Sequence, residues 1–438
     1  MIRETYKFRI YPTDEQKALL EKHFGCVRFV YNWALDYSQK QYARGEKFRG
    51  WQHIAVSPEF KQFKLDNPWL KEVNSQSICN TISHLGSAFE RFFKGQAGFP
   101  KFKCKGRCKF SFEVPANLKI DFKSKKLQIP KFLKMKNFDN RLKFVLSRHV
   151  EKGKYGRATV SRNKSGQYFI SFIVYVEKDL PKQMEDSRIS KDNSLGFDFG
   201  LKHFLTLSDG RKFDSPEFFK RSLEKVRLEC RRLSRKRKGS KNREKQRVKL
   251  ARAYLKISNQ RSDFLNKLSA ELVKESQFDC FCFEDLNLDG MKRRWGRKVS
   301  DLSFGTFARM MEYKSANLGK RFVRIGRFDP SSQICSSCGH RKKMPLSERI
   351  YVCPHCGQMI DRDVNAAVNI RDFALMRILR SAEEKDDLNN TDGTSGINDC
   401  GDGGSGIVGI CRHHETAVGE AVKVRRKIGE AQPSSAVA

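Results

Sequence analysis

"CPHCGQMIDRDVNAAVNI", residues 353–370, is the stretch on which the reading of this chain turns. It opens as half of a metal knot and runs, with no linker, into the acidic cluster Asp361-Arg362-Asp363 at the start of a helical pattern. The other half of the knot lies upstream, as Cys335-Ser-Ser-Cys338, and fourteen residues separate it from Cys353-Pro-His-Cys356. Each pair is followed by a glycine, Gly339 or Gly357, which lets the backbone turn beneath a metal. Four thiolates at this spacing make a closed tetrahedral zinc site, and a closed site is structural rather than catalytic. Two such pairs, neither opening a helix after a strand, argue against a redox motif. His340 and His355 are read as bystanders.

The helix after the knot, expected over 363–379, puts Asp363, Ala367, Ile370, Ala374 and Ile378 along one face. Ala366 and Ala367 are small enough to let that face press against a sheet. Asp361 falls about half a turn away and suits a helix cap, and capping remains an alternative for Asp363 as well. Two further carboxylates need explaining. In "LGFDFG" (195–200), Leu195, Phe197 and Phe199 share one strand face, while Gly196, Asp198 and Gly200 share the other. A carboxylate set between glycines on an apolar strand calls for a cation, either a metal or a nearby Arg or Lys. Glu284 ends "FDCFCFE" (278–284), a run too apolar for an exposed strand; Asp285 and Asp289 are assigned to the following loop. Asp198, Glu284 and Asp363 together suit two Mg²⁺ ions hydrolysing a phosphodiester. A zinc-hydroxide mechanism would want a histidine cluster, and the chain has none.

The charge balance points to the substrate. The 438 residues carry 87 Lys+Arg against 50 Asp+Glu, a net +37, and the first 380 alone carry +41. A surplus of this size implies a polyanionic partner, nucleic acid above all, because each phosphate neutralised releases condensed counterions. No apolar run approaches the length of a membrane span, and the charged, strand-like "MIRETYKFRIYP" at 1–12 does not resemble a secretory leader. Nine of the thirteen cysteines are scattered, several in apolar runs such as Cys280 and Cys282, as befits a reduced cytoplasmic setting.

Periodicity divides the chain. "ETYKFRIY" (4–11) reads as a strand, followed by helices from Thr13 to about Arg91. Residues 100–180 alternate as strands, and a polar linker runs to about 194. "LGFDFG" and "HFLTL" form a hairpin-like pair, and 217–275 a long helical hairpin with Ser240 capping its second arm. A strand at 278–284, a helix at about 301–319 and the strand "RFVRIGRF" lead to the cysteines. From 381 the Gly/Asp/Ser-rich composition predicts disorder.

These pieces, taken in order, resemble one family. "YKFRIYPTDEQKALLEKHFGCVRFVYNWAL", "GFPKFK", "GFDFGLKHFLTLSDG", "FEDLNLDGM", the paired cysteines and "DRDVNAAVNI" match the TnpB (OrfB) family of transposon-encoded proteins over roughly 1–380. Phe197 and Phe199 stand where aliphatic residues are more usual in that family, a change that leaves the acids intact. The resemblance implies an α/β multidomain RNA-guided DNA endonuclease related to type V CRISPR effectors. It would cut double-stranded DNA beside a short transposon-adjacent motif, with a guide RNA from the transposon end, one protein per guide, in a prokaryotic cytoplasm at the nucleoid. It implies Asp198, Glu284 and Asp363 as catalytic ligands of two Mg²⁺, and Cys335, Cys338, Cys353 and Cys356 as ligands of one structural zinc.

The implied layout is a wedge-like β-barrel at 1–11 and 95–185, with a helical recognition insertion at 12–94. A RuvC-like RNase H fold follows at 192–334 and 357–380, with a zinc ribbon inserted at 335–356 and a disordered tail at 381–438. The basic hairpin, with 17 Lys/Arg against 3 Glu over 220–256, would grip an RNA–DNA duplex through Arg231, Arg232, Arg235, Lys236, Arg237, Lys238, Lys241 and Arg243. The bland alternative is a solvated hairpin. Two other functions compete with this one: a repressor of the same ancestry that has lost its acids, and a DNA transposase. The intact acids speak against the first, and the lack of a metal-binding His pair beside a nucleophilic Tyr against the second.

Overall fold

Alternation and capping account for the first half of the chain. A computed structural model describes residues 1–46, 50–106, 108–130, 141–274, 277–345 and 347–390. Strand β1 (Ile2–Tyr11) buries Tyr6, Phe8 and Ile10 on alternate positions. Pro12 ends the strand, and Thr13 caps α1 (Asp14–Ala43) in a reciprocal box with Gln16. Helices α2 (Trp51–Val56), α3 (Pro58–Asp66) and α4 (Ser75–Phe93) complete a helical cluster around Val30, Leu35, Phe60, Ile82 and Leu85.

Six strands follow: β2 (Phe110–Val114), β3 (Lys119–Asp121), β4 (Lys126–Gln128), β5 (Arg141–Phe144), β6 (Lys154–Arg162) and β7 (Tyr168–Val176). β1 returns to the middle of this sheet, antiparallel to β7 from Ile2↔Val176 to Ile10↔Tyr168, in the order β2-β6-β7-β1-β5-β4-β3. Among the described residues β2 and β3 are the ends of the ladder, and Phe122, just past β3, lies 6.0 Å from Tyr155 of β6, so that the strands share one core. β1 and β5 pair at Ile10↔Phe144 and Tyr11↔Lys143, and Leu20, Phe24 and Val27 of α1 fill the core beside Phe112.

The second half is built on a five-stranded sheet of β8 (Ser194–Asp198), β9 (His203–Leu207), β10 (Lys212–Asp214), β11 (Cys280–Glu284) and β12 (Arg321–Ile325), ordered β10-β9-β8-β11-β12. The first three strands form an antiparallel meander; β11 runs parallel to both β8 and β12. Between β10 and β11 rise α5 (Phe218–Ser234) and α6 (Lys241–Lys274). Ser240 accepts the Arg243 N–H at 3.1 Å, which is the expected cap. Residues 288–302, assigned from the sequence to a loop and the start of a later helix, form a helix of their own, α7 (Leu288–Leu302). Two glycines in "DGMKRRWGRKV" hid it, and Asn287 starts it by accepting the Gly290 N–H. Ser303, left-handed at φ 56°, separates α7 from α8 (Phe304–Asn317). The hairpin β13 (Ile350–Val352) and β14 (Met359–Asp361) leads into α9 (Arg362–Asn390).

Helices cover both faces of this sheet. Leu195, Phe197, Phe281 and Phe283 pack with Leu265, Leu268, Phe304 and Phe307 on one side; Cys280 and Cys282 pack with Ile370 and Ala374 of α9 on the other. All of this belongs to one unit, Met1–Glu384. The last helix continues past the tail boundary set at 381, and the disorder expected beyond 390 falls outside the described residues. Among the described residues no helix is long and apolar enough to cross a membrane.

Candidate active site and metal centre

Strand register brings the first two acids together. β8 and β11 run parallel with Gly196 opposite Cys282 and Phe197 opposite Phe283, whose rings stack at 4.2 Å. The next residues along, Asp198 and Glu284, therefore end adjacent strands side by side, at the carboxyl edge where open α/β sheets bind ligands. Both project to the α9 face, opposite the phenylalanines.

Gly196 explains why α9 can reach this edge. A Cβ at that position would stand 2.0 Å from the Ala367 carbonyl oxygen and 3.0 Å from the Cβ of Arg371. With hydrogen there instead, the helix lies directly on the strand and its first turn brings Asp363 to the same cavity. That cavity, about 370 Å³, is lined by Asp198, Glu284 and Asp363 together with Arg349, Arg362, Ser331 and Trp295.

Asp361 does not line it. Its carboxylate accepts the Asp363 and Val364 N–H groups at 3.0 and 3.2 Å and pairs with Lys212 at 2.6 Å. Although burial opposes the charge, the Lys212 bond and the capped N–H groups hold this carboxyl below its usual range. Asp361 is thus the cap that its spacing predicts.

The three cavity acids differ in their partners. Asp363 pairs with Arg362 at 3.0 Å and with Arg349 at 3.9 Å. Asp198 and Glu284 make no hydrogen bond or ion pair with their side chains among the described residues. Burial, then the charges of Glu284 and Asp363, push Asp198 well above the carboxylate range. Burial, with help from Asp285, raises Glu284 to about 6. Three converging carboxylates with only partial counter-charge make a site that gains from binding cations. The site is wider than the cysteine knot: among the described residues only the cysteines form a group of three or more ligating side chains all within 4.8 Å of one another.

In that knot the Cys335–Cys356 and Cys338–Cys353 sulfurs stand 3.6 Å apart. Four thiolates around zinc at about 2.3 Å require sulfur separations of roughly 3.8 Å, so the cluster fits a tetrahedral ion. The two knuckles are alike. Gly339 (φ 75°) and Gly357 (φ 73°) take the left-handed conformation and donate to the Cys335 and Cys353 carbonyls at 3.0 Å. The Cys356 and His355 N–H groups hold the Cys353 thiol down to about 6, favouring the thiolate a metal needs. The His340 and His355 rings stack on each other at 5.8 Å and are not part of the cysteine cluster.

Two residues that the sequence reading overlooked join the knot to the helix. Asn365 donates to the Ile334 carbonyl at 2.7 Å and accepts the Ser336 N–H at 2.9 Å. One turn later Asn369 donates to the Ser331 and Ile334 carbonyls, both at 2.7 Å. Both asparagines are buried. Their signal was legible: two polar residues four apart on the otherwise apolar face of "VNAAVNI". Arg349, Arg362 and Trp295 also went unforeseen at the cavity, since nothing local in their segments marks them.

Of the basic hairpin residues, Arg231, Arg232, Arg235, Arg237, Lys238 and Lys241 are exposed, and Arg232 pairs with Glu229. Lys236 is half-buried. Arg243 is engaged in closing the turn, donating to the Leu233 and Lys236 carbonyls at 2.7 and 2.8 Å.

Comparison with known proteins adds three family matches: a "Helix-turn-helix domain" at residues 1–47, a "Probable transposase" at 172–294 and a "Cas12f1-like, TNB domain" at 304–370. A Streptomyces pristinaespiralis protein named "Putative RNA-guided DNA endonuclease" is 34% identical, with 84% of this chain and 89% of that one aligned. InsQ of Escherichia coli (strain K12), of like name, is 28% identical over 84% and 91% of the two chains. A "TnpB-like protein" of Acanthamoeba polyphaga mimivirus is 24% identical over 83% of this chain and 72% of its own. Among solved structures, a Cas12f1-sgRNA-target DNA complex aligns over 85% of this chain and 99% of that one, at 15% identity and a TM-score of only 0.30.

Proposed function

This chain belongs to the TnpB (OrfB) family, and we propose that it is an RNA-guided DNA endonuclease of a transposon. The observation that carries the reading is the meeting of Asp198, Glu284 and Asp363 on one cavity, two of them without a paired counter-charge. In this reading the three carboxylates would hold two Mg²⁺, whose chemistry when bound would be to activate water and to neutralise charge on the departing oxygen. Arg349 and Arg362, on the same lining, hold the phosphodiester and keep Asp363 oriented. Cys335, Cys338, Cys353 and Cys356 hold one structural zinc, and Asn365 and Asn369 transmit the position of that knot to the start of α9.

The order β10-β9-β8-β11-β12, antiparallel then parallel, supports a RuvC-like RNase H unit over 192–334 and 357–380 with the ribbon 335–356 inserted. The seven-stranded sheet and α1–α4 then serve as wedge and recognition domains. The exposed cations of the α5–α6 hairpin suit phosphate contacts with guide RNA and target DNA, base pairing carries the sequence information, and the protein reads only a short adjacent motif. One protein works per guide, in the cytoplasm at the nucleoid. The complete set of acids favours cutting over a binding-only repressor or a transposase.

The test is purification with co-expressed RNA from the transposon end, followed by cleavage of a target library randomised beside the guide match. Asp198→Ala should abolish cutting and leave RNA binding intact. Cutting that survives this change would refute the assignment.

A further inference from the structure

One residue of the cavity has no place in the scheme above. The chain has four tryptophans, and three are packed on aromatic rings: Trp33 on Phe63 at 4.7 Å, Trp51 on Phe89 at 4.9 Å and Trp69 on Phe29 at 5.1 Å. Trp295 makes no ring, cation–ring or hydrogen-bond contact among the described residues. It is 38% exposed, yet it lines the same cavity as Asp198, Glu284 and Asp363.

Its backbone is also singular. Trp295 sits at φ −124° and ψ 29° and breaks α7 in the middle, with helical turns on either side. Those turns are anchored, by the Asn287 cap before the break and by buried Val299 and Leu302 after it. The indole is held by anchored flanks, without an aromatic or cationic partner among the described residues, and is over a third exposed beside a cavity of carboxylates and arginines. What such a surface binds is a flat apolar ring, and in a site that takes a phosphodiester the nearest flat rings are the nucleobases on either side of that linkage.

We propose that Trp295 binds substrate by stacking on a nucleobase that flanks the phosphodiester to be cut, so holding the strand in register with the three acids. The contact tolerates any base, because every base presents a π-face, and it requires a strand whose base is free to leave a duplex. The inference rests on the nuclease reading given above.

The test pairs protein and substrate changes. Guide-loaded wild type, Trp295→Phe and Trp295→Leu are assayed on targets carrying an abasic nucleotide at each position flanking the cut. Leucine keeps apolar bulk without a π-face, and should slow cutting of intact target by about tenfold or more. Phenylalanine should stay within a few-fold of wild type. One abasic position should slow the wild type by a similar factor and leave Trp295→Leu no slower than it already is. Cutting by Trp295→Leu at the wild-type rate, or abasic losses that multiply in full with the Leu change, overturns the proposal while the nuclease reading stands.

A wild type that does not cut at all overturns the nuclease reading instead. Stacking is then read directly, by quenching of 2-aminopurine in a single-stranded oligonucleotide: quenching by wild type and not by Trp295→Leu sustains it, and equal quenching rejects it.

Discussion

Replacing Glu284 by Gln should make the metal-free protein more stable while destroying its cutting activity. Burial raises this carboxyl from 4.5 to about 6, so at neutral pH the folded protein carries a charge it would rather not have. The gap corresponds to about 2 kcal/mol at pH 7. The sign follows from proton counting. Between pH 4.5 and 6 the folded state binds more protons at Glu284 than the unfolded state does, so stability falls as pH rises through that window. Gln has no charge to bury, and the advantage of Glu284→Gln should grow from under about 0.5 kcal/mol near pH 4.5 to about 2 kcal/mol at pH 7.

The assay is urea unfolding of both proteins in chelator across that range, read as a difference so that other titrating groups cancel. Added Mg²⁺ should then stabilise the wild type more than the variant, because bound cations relieve the same repulsion. Asp198→Asn should move in the same direction, for the burial and neighbouring charges named above. A variant less stable than wild type at pH 7, or a difference that does not change with pH, would show that the carboxylates are satisfied within the protein and have no need of cations.

Other expectations follow from the same geometry. Gly196→Ala places a methyl 2.0 Å from the Ala367 carbonyl, so α9 must lift; we expect a loss of about 2 kcal/mol or more and of cutting, with metal content at the cysteines unchanged. Cys353→Ser should lower the zinc content measured by atomic absorption from one per chain, together with folding yield, because the knot stabilises the fold only when closed. Asn369→Ala strands the buried Ser331 carbonyl, while Asn365 still serves that of Ile334, and should cost about 1–3 kcal/mol by chemical unfolding. In the hairpin, Arg231→Glu and Arg235→Glu should each weaken RNA binding and reduce its salt slope by about 1 for each phosphate no longer neutralised. Arg243→Ala should destabilise the turn and leave that slope unchanged.

Local chemistry made much of this protein legible. The cysteine spacing with its two glycines defines a closed knot, Thr13 and Ser240 mark helix starts, and the alternation in "QYFISFIVYV" marks a half-buried strand. That β1 would lie between β7 and β5 was not legible, because alternation along one strand carries no information about its partners. Helix α7 was missed because two glycines lower its intrinsic propensity, while its cap and the burial of Val299 and Leu302 restore it.

Composition and spacing establish which residue types are available: three acids on apolar or small-residue elements, four thiols in paired spacing and a large cationic surplus. They even separate the roles of Asp361 and Asp363, because half a helical turn is a local quantity. It took the folded chain to show that Asp198 and Glu284 end neighbouring parallel strands, that Gly196 lets α9 lie close enough for Asp363 to join them, and that Asn365 and Asn369 fasten the cysteine knot to that helix. Trp295 and Arg349 belong to the same class. Their segments look like ordinary basic surface, and they reach the cavity only because strand register and helix packing act across many tens of residues, distances over which periodicity and spacing say nothing.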